Sequence, residues 1–350
     1  MDTLTNLFLT LVKIDSPSGQ EEKMSRYLKT WLVKNKFKVK IDSVGNIYAE
    51  NGKRGTPLLL CAHMDTVEPG KNIKPVIKSG TVKSDGSTIL GADNKAAIAA
   101  IMVAAEQNNT CNLEIIFSVK EETGGGLEYF PFELIKSKHA LVFDSANPLG
   151  GIVMGSPYIC NFTVEIQGKA AHSSTPQKGI NAFVPAFRGL SAVPTGILDG
   201  GETTVNIGKI IGGNGINTIP DYVKVDGEIR SYNKIYFETR LENIKNIFHN
   251  ACIQIGAKSK FTTEGYCDGY SHKKKSPFIL KIAIIYTARG LTTQFYDHSG
   301  ISDANPLNTH GIVAVNLTDG VKNPHTTNEE VAIKDLEMLS RIVVSCINKL

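Results

Sequence analysis

The chain has 350 residues, enough for two domains at roughly 150 residues each. Its 41% hydrophobic and 21% charged residues exclude a mostly disordered protein. The 38 basic and 34 acidic groups leave a net charge of +4, too small and too dispersed to argue for nucleic acid, and the densest basic run, His272 to Lys275, reads as a solvated loop. No apolar run approaches the length of a membrane span. The six cysteines include no CxxC pair and mostly sit inside apolar runs, as in a reducing compartment. The N-terminus has an early acid and no basic region before its apolar residues, so it reads as the start of an amphipathic helix and the expected location is cytoplasmic.

In chain order, residues near 20–34 place Met24, Tyr27, Leu28, Trp31 and Leu32 on one helical stripe after a Ser-Pro-Ser-Gly breaker. Short strands are expected at Phe37–Ile41 and Asn46–Ala49. Pro57–Ala62 is a fully apolar run of strand length, as for a central strand buried on both faces. Asn94–Ala105 has helical spacing, and Leu113–Val119 and Ala140–Phe143 are further apolar strands. Strands alternating with helices predict an α/β fold with a mainly parallel twisted sheet covered by helices on both faces. From about Ser156 the pattern becomes strand (Ile159–Ile166), helix (Gly179–Ala192), strands (Thr203–Ile210 and Tyr222–Ile229), a helix carrying Phe237, Leu241, Ile244, Phe248 and Cys252, and a strand (Lys260–Tyr266). That β-α-β-β-α-β order is ferredoxin-like. The chain then returns to helix (Phe278–Ala288), strand (Thr292–Tyr296), helix, strand (Ile312–Asn316) and a final helix (Glu329–Asn348). The expected organisation is one domain from residues 1–155 and 270–350, with a smaller α+β domain inserted at 156–269.

Chemistry gathers at the ends of the strands. The run Leu59-Leu60-Cys61-Ala62-His63-Met64-Asp65 closes a buried strand with His-x-Asp, where open α/β sheets bind ligands. Asp93 opens the Ala-rich helix, where it also suits an N-cap. Glu121 and Glu122 follow the next strand. Adjacent glutamates point to opposite sides unless the backbone turns, and the glycines at 124–126 permit a turn. Asp144 ends a further strand, and His325 lies between a strand and the last helix. Each residue alone is explained by capping or loop chemistry; five together point to a metal centre. Three carboxylates, two divalent ions and a bridging hydroxide sum to a neutral core, and a mixed imidazole and carboxylate set suits zinc or a similar borderline ion.

These motifs resemble the co-catalytic zinc exopeptidase family that includes peptidase T, carboxypeptidase G and the aminoacylases. His63-Met64-Asp65-Thr66-Val67-Glu68-Pro69-Gly70 followed by Leu90-Gly91-Ala92-Asp93 is most similar to the peptidase T-like branch. The resemblance implies a zinc exopeptidase-like sheet domain with a lid domain inserted, and two Zn2+ ions, with Co2+ or Mn2+ as alternatives. Asp93 would bridge the ions, with His63 and Asp144 completing one site and Glu122 and His325 the other. Glu121 would be the general base for metal-activated water, Asp65 would orient the first ligand histidine, and the Asp93–Asn94 peptide bond would be cis. In the lid, His172 would stabilise the oxyanion, with a turn histidine bonded to nearby serines as the alternative. Arg230 would anchor a substrate carboxylate, with a surface ion pair as its alternative. Asn217 and the loop Ser299–Ala304, with Gly300, would face the substrate. The implied partner is a short peptide, with no nucleic acid and no membrane, and a homodimer would form through the lid. The activity implied is that of an aminopeptidase or tripeptidase. An N-acyl amino acid deacylase or carboxypeptidase on the same scaffold, and an inactive peptide-binding homologue, are the alternatives. The remaining histidines (His139, His249, His272 and His310) are read as surface or helix-end residues, and His298 stays open.

Overall fold

The computed structural model describes residues 3–350 and divides into two compact units, one from the residues up to Gly155 together with His272–Leu350, the other from Ser156–Ser271. In the first piece of unit 1 the elements are α1 (Thr3–Val12), α2 (Glu22–Lys34), β1 (Lys38–Ile41), β2 (Ile47–Glu50), β3 (Leu58–His63), β4 (Val76–Lys78), β5 (Thr81–Lys83), α3 (Ala92–Gln107), β6 (Leu113–Ser118), β7 (His139–Phe143) and β8 (Gly151–Ser156). Unit 2 contributes β9 (Tyr158–Gln167), α4 (Phe183–Ala192), β10 (Gly196–Leu198), β11 (Thr203–Gly212), β12 (Tyr222–Ser231), α5 (Lys234–Ile253), β13 (Lys258–Cys267) and the short β14 (Tyr270–Ser271). The second piece of unit 1 adds α6 (Pro277–Ala288), β15 (Gln294–Asp297), α7 (Ala304–Thr309), β16 (Val313–Leu317), β17 (Glu330–Ala332) and α8 (Ile333–Lys349). Among the described residues, no helix is long and apolar enough to cross a membrane.

The main sheet of unit 1 runs β1-β2-β6-β3-β7-β16-β8, with β15 beside β8. Its centre is parallel: β3 pairs with β6 and β7, β16 with β7, and β15 with β8. β3 and β6 are buried along their whole length, which is why both read as unbroken apolar runs instead of alternating ones. On one face α3 packs against β3 and between α1 and α8, while α7 packs on β7 and β16. α3 is lined with buried alanines (Ala96, Ala97, Ala99, Ala100), which leave little side chain between it and its neighbours.

Unit 2 is a two-layer domain. Its sheet runs β10-β11-β12-β9-β13, antiparallel at every pairing, and α4 and α5 cover one face. The core holds Phe162, Val164 and Ile166 of β9 against Phe237, Ile244 and Phe248 of α5. The strand order is the ferredoxin-like one with β10 added at an edge.

β8 (Gly151–Ser156) fills a stretch where no strand was expected, and two further differences from the sequence expectation in unit 1 have a clear physical reason. The final helix starts at Ile333, not Glu329, because Glu330–Ala332 forms a strand. That strand joins β5 and β4 in a small separate sheet whose short, mostly exposed or half-buried strands carry no readable pattern. The other difference is His272, which is partly buried, its Nε2 2.9 Å from Ala314 O, and not a surface residue.

Candidate active site

The parallel pairing of β3 with β6 and β7 brings three chain ends to one edge. His63 stands opposite Ser118, and past the last β3/β7 pair, Cys61 against Val142, the His63 and Asp144 side chains come within 3.8 Å of each other. Asp144 is fixed by fully buried Asn316 of β16. The Asp144 N–H donates to Asn316 Oδ1 (3.0 Å), and Asn316 Nδ2 donates back to Asp144 O (2.8 Å).

Asp93 sits in a turn ahead of α3. Gly91 has φ 69°, and a Cβ there would press on Ile73 and Thr66 at 3.3 Å, so the turn requires glycine. The Asp93–Asn94 bond is cis, and neither residue has helical dihedrals. The Asp93 carboxylate faces His63 and His325, so capping does not explain it. The turn is instead gripped by Glu329, whose Oε2 accepts from the Leu90 and Gly91 N–H groups (2.7 Å each) and whose Oε1 accepts from the Asp93 N–H (2.9 Å).

Glu121 and Glu122 follow Lys120, which turns the chain with φ 56° into a short 3-10 segment, Glu121–Thr123. The turn therefore falls at Lys120 itself, ahead of the glycines. Buried Asp65 holds it: Oδ1 accepts from the Glu121 N–H (3.0 Å), while Oδ2 accepts from the Glu122 N–H (3.2 Å) and from Ser18 Oγ (2.6 Å). His63 Nδ1 lies nearer the Asp65 carbonyl (3.0 Å) than its carboxylate (3.5 Å), so Asp65 braces both the ring and the glutamate turn.

Around Asp93 the side chains form two groups. His63 Nε2 lies 3.2 Å from Asp93 Oδ1 and 3.8 Å from Asp144 Oδ1. His325 Nε2 lies 3.3 Å from Asp93 Oδ2 and 2.9 Å from Glu122 Oε1. In each trio the candidate donor atoms lie within 4.8 Å of one another, and the two trios share Asp93 through opposite oxygens. Glu122 Oε1 is buried and takes no hydrogen bond of acceptable geometry, although His325 Nε2 is close by. A carboxylate oxygen and an imidazole nitrogen facing one space fit a cation held between them.

The charges agree. Burial opposes protonation of His63, but Asp65 and Asp93 outweigh it and hold its pKa well above the ordinary value. Asp93 and then Glu122 raise His325 to about 10. Burial, and then the charge of Glu121, pushes Asp144 well above the usual carboxylate range; burial does the same to Glu121. Crowded, desolvated carboxylates of this kind need a positive partner, a role that a metal ion would fill.

The other expected residues divide between the units. In unit 2, His172 Nδ1 is 2.7 Å from Ser174 Oγ and accepts from the Ser174 N–H (3.2 Å), which is the turn-histidine arrangement. Asn217 is its neighbour: its carbonyl accepts from the Ser173 N–H (2.9 Å), and His172 bridges to Thr218. Arg230 forms a two-pronged pair with Glu228 on the same strand (2.7 and 2.9 Å), the ion-pair arrangement. In unit 1, Gly300 packs close to the His298 ring, where a Cβ would come within 3.3 Å. Of the bland histidines, His310 caps α7 and stacks on Phe132 at 3.7 Å, His139 packs on Phe278, and exposed His249 is near Ser259 Oγ.

Sequence reasoning missed Glu329, Asn316 and Ser18. Glu329 was absorbed into the expected last helix, and a side chain that acts on backbone N–H groups leaves no spacing pattern. The available signal was an acid four residues after His325, ahead of an apolar run.

Comparison with known proteins agrees with this geometry. Residues 155–255 match the M20 peptidase dimerisation domain. The uncharacterised protein YqjE of Bacillus subtilis is 33% identical, over 98% of this chain and 96% of its own. The crystal structure of aminopeptidase PepT from Bacillus cereus superposes with a TM-score of 0.92 at 31% identity, covering 99% of this chain and 97% of that one. A tripeptidase from Staphylococcus aureus gives 0.90 at 32%, covering 98% and 96%. The chain belongs to the M20 family of metallopeptidases, which makes it a metal-dependent hydrolase acting on peptide bonds. Within that family it falls in the peptidase T-like branch.

Proposed function

We propose that this chain is a dinuclear zinc aminopeptidase that removes the N-terminal residue of short peptides, tripeptides among them, and works as a homodimer in the cytoplasm. The observation that carries the reading is the pair of ligand trios sharing Asp93 through its two oxygens. His63, Asp93 and Asp144 would hold one ion, and Asp93, Glu122 and His325 the other; imidazole with carboxylate favours zinc over magnesium or calcium. When bound, such a pair supplies Lewis-acid polarisation of the scissile carbonyl and lowers the pKa of a water toward about 7.

The chain's own residues do the rest. Glu121 sits beside this cluster on the braced turn, and its carboxylate takes the proton of the attacking water and hands it to the departing amine. Asp65 keeps Glu121 and Glu122 on their separate courses by holding both N–H groups. His172 and Asn217, adjacent in unit 2, are assigned to the oxyanion and the substrate backbone, and Gly300 to close approach of the peptide in unit 1. Arg230 is assigned to the substrate carboxylate. Its partly exposed pair with Glu228 contributes at most about 1 kcal/mol, little enough to be exchanged for a substrate carboxylate. The relatives named as an aminopeptidase and a tripeptidase support this choice of substrate, and the dimerisation-domain match supports the dimer.

The deciding assay sets three substrates side by side on the zinc-loaded enzyme: a free tripeptide, the same peptide with a blocked N-terminus, and an N-acetyl amino acid. The free tripeptide should lose its first residue and the other two should persist. Hydrolysis of the N-acetyl amino acid with the tripeptide intact would reassign the enzyme as a deacylase.

A further inference from the structure

Glu329 joins two ligand-bearing turns. It lies four residues beyond His325, and its own N–H donates to Thr326 O (3.1 Å), which ties it to the His325 loop. Its side chain reaches the other way, into the Leu90–Asp93 turn, where three backbone N–H groups donate to it within 2.9 Å. It is 1% exposed. Bonds from N–H groups to a carboxylate are roughly twice as strong as neutral ones, so three of them fix both the side chain and the turn.

The Asp93 carboxylate has a demanding task, since Oδ1 faces His63 while Oδ2 faces His325. Both oxygens are aimed correctly only if the Asp93 backbone is held in rotation, and Glu329 holds the nitrogen of that residue. We propose that Glu329 is a positioning residue that orients Asp93 toward both metal sites at once and sets its separation from His325, so that its loss weakens both sites together. This deepens the metal-pair reading above and rests on it. A ligand histidine differs in kind: His63 and His325 each belong to one trio.

The test uses the full chain, stripped of metal and titrated with Zn2+ and Co2+ against a chelator of known affinity. The proteins are wild type, Glu329→Gln, Glu329→Asp, His325→Ala and Glu114→Gln. Glu114 is the control: it too is buried and accepts backbone N–H groups, from Lys136 and Ser137, but it touches neither trio. Wild type should bind two ions, and His325→Ala should lose one of them. Glu329→Gln should bind both ions roughly tenfold to a hundredfold more weakly. Its cobalt absorption spectrum at saturation should also differ from that of wild type, which a role in stability alone would not change. Glu114→Gln should bind as wild type does. If Glu329→Gln fails to fold by circular dichroism, Glu329→Asp, which keeps the charge and shortens the reach, is judged by the same two readouts. Wild-type affinity for both ions with an unchanged cobalt spectrum overturns the proposal, even where the melting temperature has dropped. A wild-type protein that binds fewer than two ions brings down the metal-pair reading itself, and this proposal with it.

Discussion

At the scale of single residues, the neighbours Glu121 and Glu122 show how one turn produces two chemistries. The left-handed Lys120 and the Asp65 carboxylate together send Glu122 to the His325 trio and hold Glu121 apart from it, as the proposed base role requires. Replacing Glu121 with Gln keeps size and shape and removes only the basic oxygen. Turnover of a tripeptide should fall by about 10²–10⁴-fold while metal content, measured by atomic emission on the same sample, stays at two ions per chain. Activity near wild type in a metal-loaded Glu121→Gln protein would remove Glu121 from the role of base. His63, Asp93, Glu122 and Asp144 were legible in the sequence because they follow apolar strands or open a helix, while His325, in a loop, was legible only through its motif. Glu329 and Asn316 were not, because their work is done on backbone groups and any buried polar residue can do it.

At the scale of elements, burial explains what could be read and what could not. β3, β6 and β7 are apolar runs because they are buried in the central sheet, and α3 carries the chain over from β3 to its parallel neighbour β6. The strands β4, β5 and β17 are short and largely exposed or half-buried, so nothing in their composition marks them. A different kind of hidden constraint lies in α4, where Gly189 looks like a weak point in a helix. Gly to Ala in a helix interior ordinarily adds about 1 kcal/mol of stability. Here a Cβ on Gly189 would fall 2.3 Å from Cδ1 of Phe248, a fully buried ring of α5. Overpacking of this sort costs about 1–3 kcal/mol, which outweighs the propensity gain. Gly189→Ala should therefore lower the unfolding midpoint of unit 2 in calorimetry by several degrees. A midpoint that rises would show that α4 and α5 move apart without penalty.

At the scale of the whole molecule, the division into two units decides how it responds to metal and to its own concentration. His63, Asp93, Glu122, Asp144 and His325 all belong to unit 1, so ions bound there stabilise that unit. Chelation should lower the unit 1 transition in calorimetry; a transition that chelation leaves unchanged would contradict a metal pair in unit 1. Sedimentation velocity should give a species of about twice the 38.0 kDa chain mass, since residues 155–255 match a dimerisation domain. A single 38.0 kDa species at micromolar concentration would remove the dimer.

The insertion of unit 2 between Gly155 and His272 also sets a schedule for synthesis on the ribosome. β7 is complete by Phe143, but its partner β16 ends at Leu317 and His325 follows later still. All of unit 2 has left the exit tunnel before the main sheet gains that strand, so unit 2 can close while unit 1 is still missing an inner piece. The half-finished sheet exposes the apolar edge of β7 throughout that interval. Nascent chains halted between Ser271 and Val313 should accordingly be the form that chaperones hold longest.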